Sequence, residues 1–171
     1  MKIKIFIYCV CLFIIMIIQS TILDSLALYN VKPNLVLVFI ISVSLVRGGV
    51  EGAYVGFFAG LIQDFITGKV IGFYALIGMY VGLLVGIFNK RLYRENFLVI
   101  IFFTFTATIV YELCVFFFGI YLQGGDGFLY GFVKIILPET LYNIIVSVFM
   151  YVFIMKLSEI FNEQDKKIRK Y

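Results

Sequence analysis

The feature that most restricts how this chain can fold is a row of glycines that ends in an acid. Four residues at four-residue spacing share one helix face: Gly52, Gly56, Gly60 and Asp64. A second row follows at the same spacing: Gly78, Gly82 and Gly86. Small residues at this spacing let two helix backbones approach closely inside a membrane. A carboxylate at the end of such a seam is costly there, which makes Asp64 a candidate functional residue.

The membrane setting follows from composition. The 171 residues are 63% hydrophobic and 14% charged, with a mean hydropathy of +1.09. This is typical of an all-α, polytopic membrane protein rather than of a soluble domain. A span needs about 20 residues, so the length suits one integral membrane domain with six transmembrane helices. The predicted spans are residues 4–23, 33–46, 50–66, 70–89, 97–119 and 138–157, followed by a basic tail, 158–171.

Two boundaries of this plan rest on specific residues. The first apolar run follows Lys2 and Lys4, as in a signal peptide, but it is long and lacks a small-residue cleavage site. We therefore expect it to stay as a transmembrane helix. Pro33 and Pro138 are predicted to start the second and sixth spans, because proline suits the first helical position.

The distribution of basic residues orients the bundle. With six spans, the loops on the side opposite to the termini hold only Lys32, Lys69 and Lys134 of the 14 basic residues. Since positive residues concentrate on the cytoplasmic side, both termini are predicted to be cytoplasmic, in a bacterial plasma membrane.

The second and third spans are short. Only 14 uncharged residues separate Lys32 from Arg47, and 12 lie between Glu51 and Asp64. These helices are either held inside the bundle away from lipid, or they form a thin hairpin. Arg47 and Glu51 bracket the turn and could pair if helix continued through it. The favoured interpretation is an interfacial arginine with a solvated acid.

Polar side chains form stripes on two later helices. Span five carries Thr104, Thr108 and Glu112 on one face, and span six carries Glu139, Asn143 and Ser147 at the same spacing. The position of Glu139 could be explained by the dipole of a helix N-terminus alone. Asn143 is predicted to hydrogen-bond between helices. If these stripes met the glycine row they would form a polar pocket, although the favoured interpretation is a packed bundle in which each group satisfies its neighbours.

Catalysis finds little support in the sequence. There is no histidine, no zinc-binding motif and no phosphate-binding loop, and the three cysteines are too dispersed for a disulfide framework. Asp64 is the only aspartate near the apolar interior, whereas an intramembrane aspartyl protease would need a pair. We therefore predict a protein that is not an enzyme, with no cofactor, no metal site and no nucleic-acid partner.

The order of these elements resembles MreD, the rod shape-determining membrane protein family of bacteria. The resemblance runs over roughly residues 5–157 and rests on Pro33-Asn34-Leu35, Arg47-Gly48, Gly56-Phe57, Gly60 to Asp64, Gly72 and Leu137 to Asn143. It implies a non-enzymatic scaffold of the cell-elongation complex, involved in rod shape and side-wall peptidoglycan synthesis. The implied partners are an MreC-like bitopic protein and, through it, MreB, RodA and a class B penicillin-binding transpeptidase.

The same architecture also looks like that of the substrate-binding S components of energy-coupling-factor vitamin transporters. Those proteins dock through small residues on their first helix, whereas Ile5 to Ile18 is bulky here. The scaffold interpretation is therefore preferred. The residues predicted to serve partner binding or helix packing are Arg47, Gly56, Gly60, Asp64, Gly72, Gly78, Gly82, Glu112, Glu139 and Asn143.

Overall fold

A computed structural model describes residues 2–22, 31–67, 70–88, 97–119 and 131–168, and these residues are almost entirely helical. The helices are α1 (Lys2–Ile17), α2 (Leu35–Arg47), α3 (Gly49–Thr67), α4 (Phe73–Ile87), α5 (Phe97–Gly119) and α6 (Leu137–Ile168). Two π-helical turns extend them, Ile18–Ile22 after α1 and Phe132–Ile136 before α6. The predicted all-α class is confirmed for the described residues, which form six α-helices.

Among the residues that the structure describes, three stretches are long and apolar enough to cross a membrane: Lys4–Thr21, Phe97–Phe118 and Phe132–Asn162. The helices α2 and α4 are apolar but shorter. Six complete crossings therefore stay a prediction.

Helix α2 is the centre of the bundle. Every residue from Leu35 to Val46 is buried, and α2 contacts each of the other five helices. Its two serine hydroxyls donate to backbone carbonyls one turn earlier, Ser42 to Val38 at 2.8 Å and Ser44 to Ile40 at 2.6 Å, so no hydroxyl is left unpaired in this core. Of the two explanations for this short span, the structure supports the one that holds it inside the bundle.

The start of α2 differs from the prediction. The helix begins at Leu35 rather than at Pro33, because Asn34 is its N-cap and accepts a hydrogen bond from the Leu37 N–H at 3.1 Å. Pro33 precedes the cap. At the other end, Gly48 has φ = 100°, a conformation that favours glycine, and this residue separates α2 from α3.

The start of α6 also differs from the prediction. The backbone is already helical from Phe132, and the Leu137 N–H bonds to the Phe132 carbonyl in the wider i to i+5 pattern of a π turn. Pro138 therefore lies inside a continuous helical segment rather than at its first residue.

The terminal ends of α1 and α6 lie at the same end of the bundle. The Tyr8 and Phe161 rings pack edge to face with centroids 5.7 Å apart. The Lys4 ammonium group lies 5.9 Å from the centroid of the Phe161 ring. This arrangement agrees with two termini on one side of a membrane; which side that is stays a prediction.

Candidate functional site

The glycine rows of α3 and α4 face each other in antiparallel register. A Cβ added at Gly56 would overlap the Gly78 carbonyl, and one added at Gly82 would overlap the Gly52 carbonyl. One further turn along, a Cβ at Gly60 would overlap the backbone of Tyr74. The two backbones are therefore in direct contact along the seam, as the spacing predicts.

Asp64 ends the seam and caps the next helix. Its side chain is 1% exposed. One carboxylate oxygen accepts from the Gly72 N–H at 2.9 Å and the Ala75 N–H at 3.1 Å, and the other accepts from the Tyr74 N–H at 2.9 Å. These donors are the otherwise unpaired N–H groups at the start of α4, where the helix dipole also favours a negative charge.

Gly72 makes this cap possible. It is the N-cap residue of α4 with φ = 98°, and it has no side chain that could cap the helix itself. Asp64 on α3 supplies the missing acceptor. Asp64 and Gly72 thus act together: the carboxylate on α3 caps the first turn of α4.

The polar stripes of α5 and α6 form a ladder between the two helices. The carboxyl groups of Glu112 and Glu139 lie within hydrogen-bonding reach of each other. One turn away, the Asn143 side-chain N–H donates to the Thr108 hydroxyl at 3.3 Å. The antiparallel register that joins these pairs places Thr104 level with Ser147.

Glu139 is therefore better explained by its neighbour than by a helix dipole. The helical backbone runs upstream of it to Phe132, so Glu139 does not lie at the first turn of a helical segment.

Asn34 joins the ladder to the central helix, although it was not among the predicted site residues. Its backbone N–H donates to the Asn143 side-chain oxygen at 2.7 Å, and its side chain contacts Glu112. Asn143 thus links α2, α5 and α6, which extends its predicted role as an inter-helix bonding residue. The signal available in the sequence was the asparagine directly before an apolar helix.

Two tyrosines connect this ladder to the glycine seam. The Tyr74 and Tyr111 rings stack with centroids 6.3 Å apart, and the Tyr111 hydroxyl donates to the Gln63 side-chain oxygen at 3.4 Å. Asp64, Glu112 and Glu139 all lie close enough to Tyr74 to act on it electrostatically. Tyr74 therefore links the seam to the ladder: Asp64 accepts from its backbone N–H, and its ring stacks on that of Tyr111 in α5. Among the residues described, Thr104 has the one buried side-chain oxygen for which no hydrogen-bond partner is present.

Arg47 forms a second polar cluster at the end of the bundle that carries the chain ends. Its guanidinium group binds Glu51 through two hydrogen bonds of 3.1 Å across the Gly48 break. A third nitrogen donates to Ser158 at 3.1 Å and to Asn162 at 2.9 Å, and the Tyr8 hydroxyl donates to Glu51 at 3.4 Å.

This Arg47 cluster joins α1, α2, α3 and α6. The interpretation of Arg47 as an interfacial residue beside a solvated acid was wrong, because it assumed that pairing needs an unbroken helix. The Arg47 side chain is only 12% exposed.

Among the side chains that the structure describes, which are those of residues 4–162 apart from the gaps noted above, no three histidine, cysteine or acidic residues lie together. The groups that converge here cap helices and bridge between them.

The chain was compared with models of known protein families, with curated proteins and with solved structures. The family model of rod shape-determining protein MreD matches residues 1–161. This range covers every predicted site residue and all helices up to Phe161. No match was found among curated proteins or among solved structures.

Proposed function

The chain belongs to the MreD family of rod shape-determining membrane proteins, and from this premise we propose that it is a non-enzymatic scaffold of the bacterial cell-elongation complex. In this role it supports side-wall peptidoglycan synthesis from the plasma membrane. The family match over residues 1–161 carries the proposal. The six helices would each cross the membrane, with both termini in the cytoplasm.

The internal bonding of the polar groups supports a scaffold rather than a carrier. The buried Asp64 carboxylate is bound by three backbone N–H groups, and Asn143 is bound by neighbours on two helices. A carrier keeps such groups for its substrate, whereas here they fix the helices relative to each other. A rigid bundle of this kind suits a protein that holds other membrane proteins in place.

The proposed partners are an MreC-like bitopic protein and, through it, MreB, RodA and a class B penicillin-binding transpeptidase. Three helices offer long apolar faces to a bilayer or to a partner's transmembrane helix, as judged from Phe13, Phe102 and Phe149, each of which is more than half exposed. Single-span partners could pack on such faces.

Depletion of the protein in a rod-shaped bacterium that carries it tests the proposal. We expect wider or spherical cells, restored shape when the protein is supplied from a plasmid, and unchanged uptake of vitamins. Normal cell shape combined with loss of uptake of one nutrient would contradict the scaffold role and favour the substrate-binding component of a transporter.

A further inference from the structure

The hairpin of α3 and α4 exposes one apolar stripe on each helix. On α3 every fourth residue from Val50 to Ile66 is exposed, and on α4 every fourth residue from Leu76 to Phe88 is exposed. Tyr54 and Tyr80 each lie two residues from the nearest glycines of the seam, which turns them about 200° around the helix, away from the partner helix. These two stripes, the hairpin edges, are therefore the surfaces that the hairpin presents to its surroundings.

The hairpin edges are short for a membrane. Val50 and Ile66 are 16 residues apart on α3, which at 1.5 Å per residue is about 24 Å. Helix α4 has 15 residues and is about 22 Å long. The hydrocarbon core of a typical bilayer is about 30 Å thick. Tilting either helix would shorten its reach across the membrane, so a tilt cannot make up the difference.

The opposite side of the bundle is longer. On α6 and the π turn before it, the exposed residues Lys134 and Lys156 bracket a stripe of exposed apolar side chains that includes Leu141, Ile145 and Phe149. The two lysines are 22 residues apart, which corresponds to about 33 Å of helix. This length is close to the thickness of the hydrocarbon core, so the α6 surface fits an ordinary bilayer.

Two ring contacts show the difference in length within the bundle. Phe73, the first residue of α4, packs against Phe118 with ring centroids 5.7 Å apart. Phe88, directly after α4, packs against Phe103 with ring centroids 5.3 Å apart. Helix α5 continues for six residues beyond Phe103, to Phe97, which adds about 9 Å. The bundle therefore has a short side at the hairpin and a long side at α5 and α6.

The side chains of the hairpin edges favour lipid as their neighbour. Helices approach each other closely in membranes through small residues, and the hairpin uses its glycines in the internal seam. The edges instead carry large side chains, such as Tyr54, Phe58 and Ile62 on α3 and Tyr80 and Leu84 on α4. These side chains keep another backbone at a distance, whereas flexible acyl chains can pack around them.

We propose that the bilayer beside the hairpin edges is thinned by about 6 Å, and that these edges bind phospholipids with shorter acyl chains than the α6 surface does. A bilayer adapts to a short hydrophobic surface by thinning locally, which has a cost for each ångström of mismatch. Lipids with shorter chains lower that cost. The inference rests on the proposed crossing of the membrane by α3 and α4, and it does not depend on the scaffold role.

Tryptophan fluorescence can measure the lipid preference of each surface, because the chain contains no tryptophan. Phe58→Trp, at the midpoint of the α3 edge, is the hairpin reporter. Ile145→Trp, midway between Lys134 and Lys156, is the matched α6 reporter, and both native side chains are exposed. Each full-length variant is reconstituted as a single copy per nanodisc in dioleoylphosphatidylcholine. A small fraction of brominated phosphatidylcholine, with either shorter dimyristoleoyl or longer dierucoyl chains, serves as the quencher.

At the hairpin reporter we expect the shorter quencher to bind roughly two- to threefold more tightly than the longer one, because it needs less deformation of the bilayer. At the α6 reporter the shorter quencher should have no advantage. Tyr80→Trp should repeat the result of the hairpin reporter, since the register of the seam puts Tyr80 level with Tyr54 on the other helix. Phe102→Trp, on the exposed face of α5, should behave like the α6 reporter.

Two results would overturn the proposal. The same ratio of binding for the two quenchers at the hairpin and α6 reporters would mean that the bilayer is equally thick on both sides. Absence of quenching by both lipids at the hairpin reporter would mean that other parts of the chain cover this edge. Thiol labelling of single cysteines at Lys69 and Lys90, which should lie on opposite sides of the membrane, checks the crossing separately. Cell shape after depletion checks the scaffold role, so the three failures are distinguishable.

Discussion

Gly56 on α3 and Gly78 on α4 touch through their backbones: a Cβ added at Gly78 would lie 2.6 Å from the Gly56 carbonyl oxygen. No side chain separates the two helices at this point. The seam therefore sets the distance between α3 and α4 by itself, and any larger residue there must move a backbone rather than a side chain.

Replacing Gly56 with leucine should destabilise the protein by at least the roughly 1–3 kcal/mol that is typical of overpacking. The thermal unfolding midpoint of the purified protein in detergent measures this effect. Cys9→Leu is the control, because Cys9 is a small residue on the exposed face of α1. Equal midpoints for the two variants would contradict direct backbone contact at Gly56.

The loss of stability on replacing Asp64 should depend on how many of its two hydrogen-bond acceptor oxygens the new side chain keeps. Asp64→Ala leaves three N–H groups of α4 without a partner, whereas Asp64→Asn keeps one of the two oxygens. Each unsatisfied buried donor costs about 1–3 kcal/mol, so alanine should be clearly worse than asparagine. Unfolding midpoints and membrane levels by blotting give the order. An alanine variant as stable as the asparagine variant would show that the cap contributes little.

The Glu112 and Glu139 pair should tolerate neutral isosteres. A glutamine at either position can still hydrogen-bond the other side chain. Glu112→Gln and Glu139→Gln should therefore complement a depletion strain, while the matching alanine variants should be less stable. If both glutamine variants are well expressed and neither complements, the acids serve a titrating function such as coupled transport rather than packing.

Removal of Arg47 should loosen four helices together. Arg47→Ala breaks the contacts with Glu51, Ser158 and Asn162, which are part-buried or exposed, so each should contribute less than the roughly 1.5–3 kcal/mol of a buried hydrogen bond to a charged group. Arg47→Lys should fall between alanine and the parent, because an ammonium group lacks the planar fork that binds two oxygens at once. Protease sensitivity of α1 and thermal unfolding both report on this. Glu159→Ala, at an exposed neighbour on α6, should have little effect; an equal effect would contradict a specific role for Arg47.

The proposed topology places residues 90 and 125 on opposite sides of the membrane. Single cysteines at Lys90 and Gly125, in a background without Cys9, Cys11 and Cys114, should react with a membrane-impermeant thiol reagent from opposite sides. The cysteine at position 90 should react only after the cells are opened. Labelling of both positions from the same side would refute six spans with cytoplasmic termini.

Regular spacing explains why much of the site could be predicted. Glycines and polar residues four apart in sequence must share a helix face, and two such faces in antiparallel helices can meet along their whole length. This holds for Gly56 with Gly78 and for Thr108 with Asn143. The prediction needed only the period of the helix.

Bonds between distant segments could not be predicted in this way. Asn34 and Asn143 are 109 residues apart, and the sequence pattern around either residue does not indicate that the two are in contact. The prediction for Arg47 and Glu51 was wrong for a different reason. It assumed that pairing needs an unbroken helix, but the turn at Gly48 brings the two side chains together without one. The helical turn upstream of Pro138 was not predicted. A proline at this position is explained equally well by the start of an ordinary helix and by a preceding π turn, and the structure has the π turn.

The enclosure of α2 has a consequence for biogenesis. A helix of 13 residues is about 20 Å long, shorter than the roughly 30 Å of hydrocarbon that a single segment must cross. It also has no face turned to lipid. Because the helices that surround it include α5 and α6, which are synthesised later, α2 reaches its final environment only near the end of translation. Until then, the insertion machinery or the neighbouring helix α3 must shield from lipid a segment that cannot span the bilayer alone.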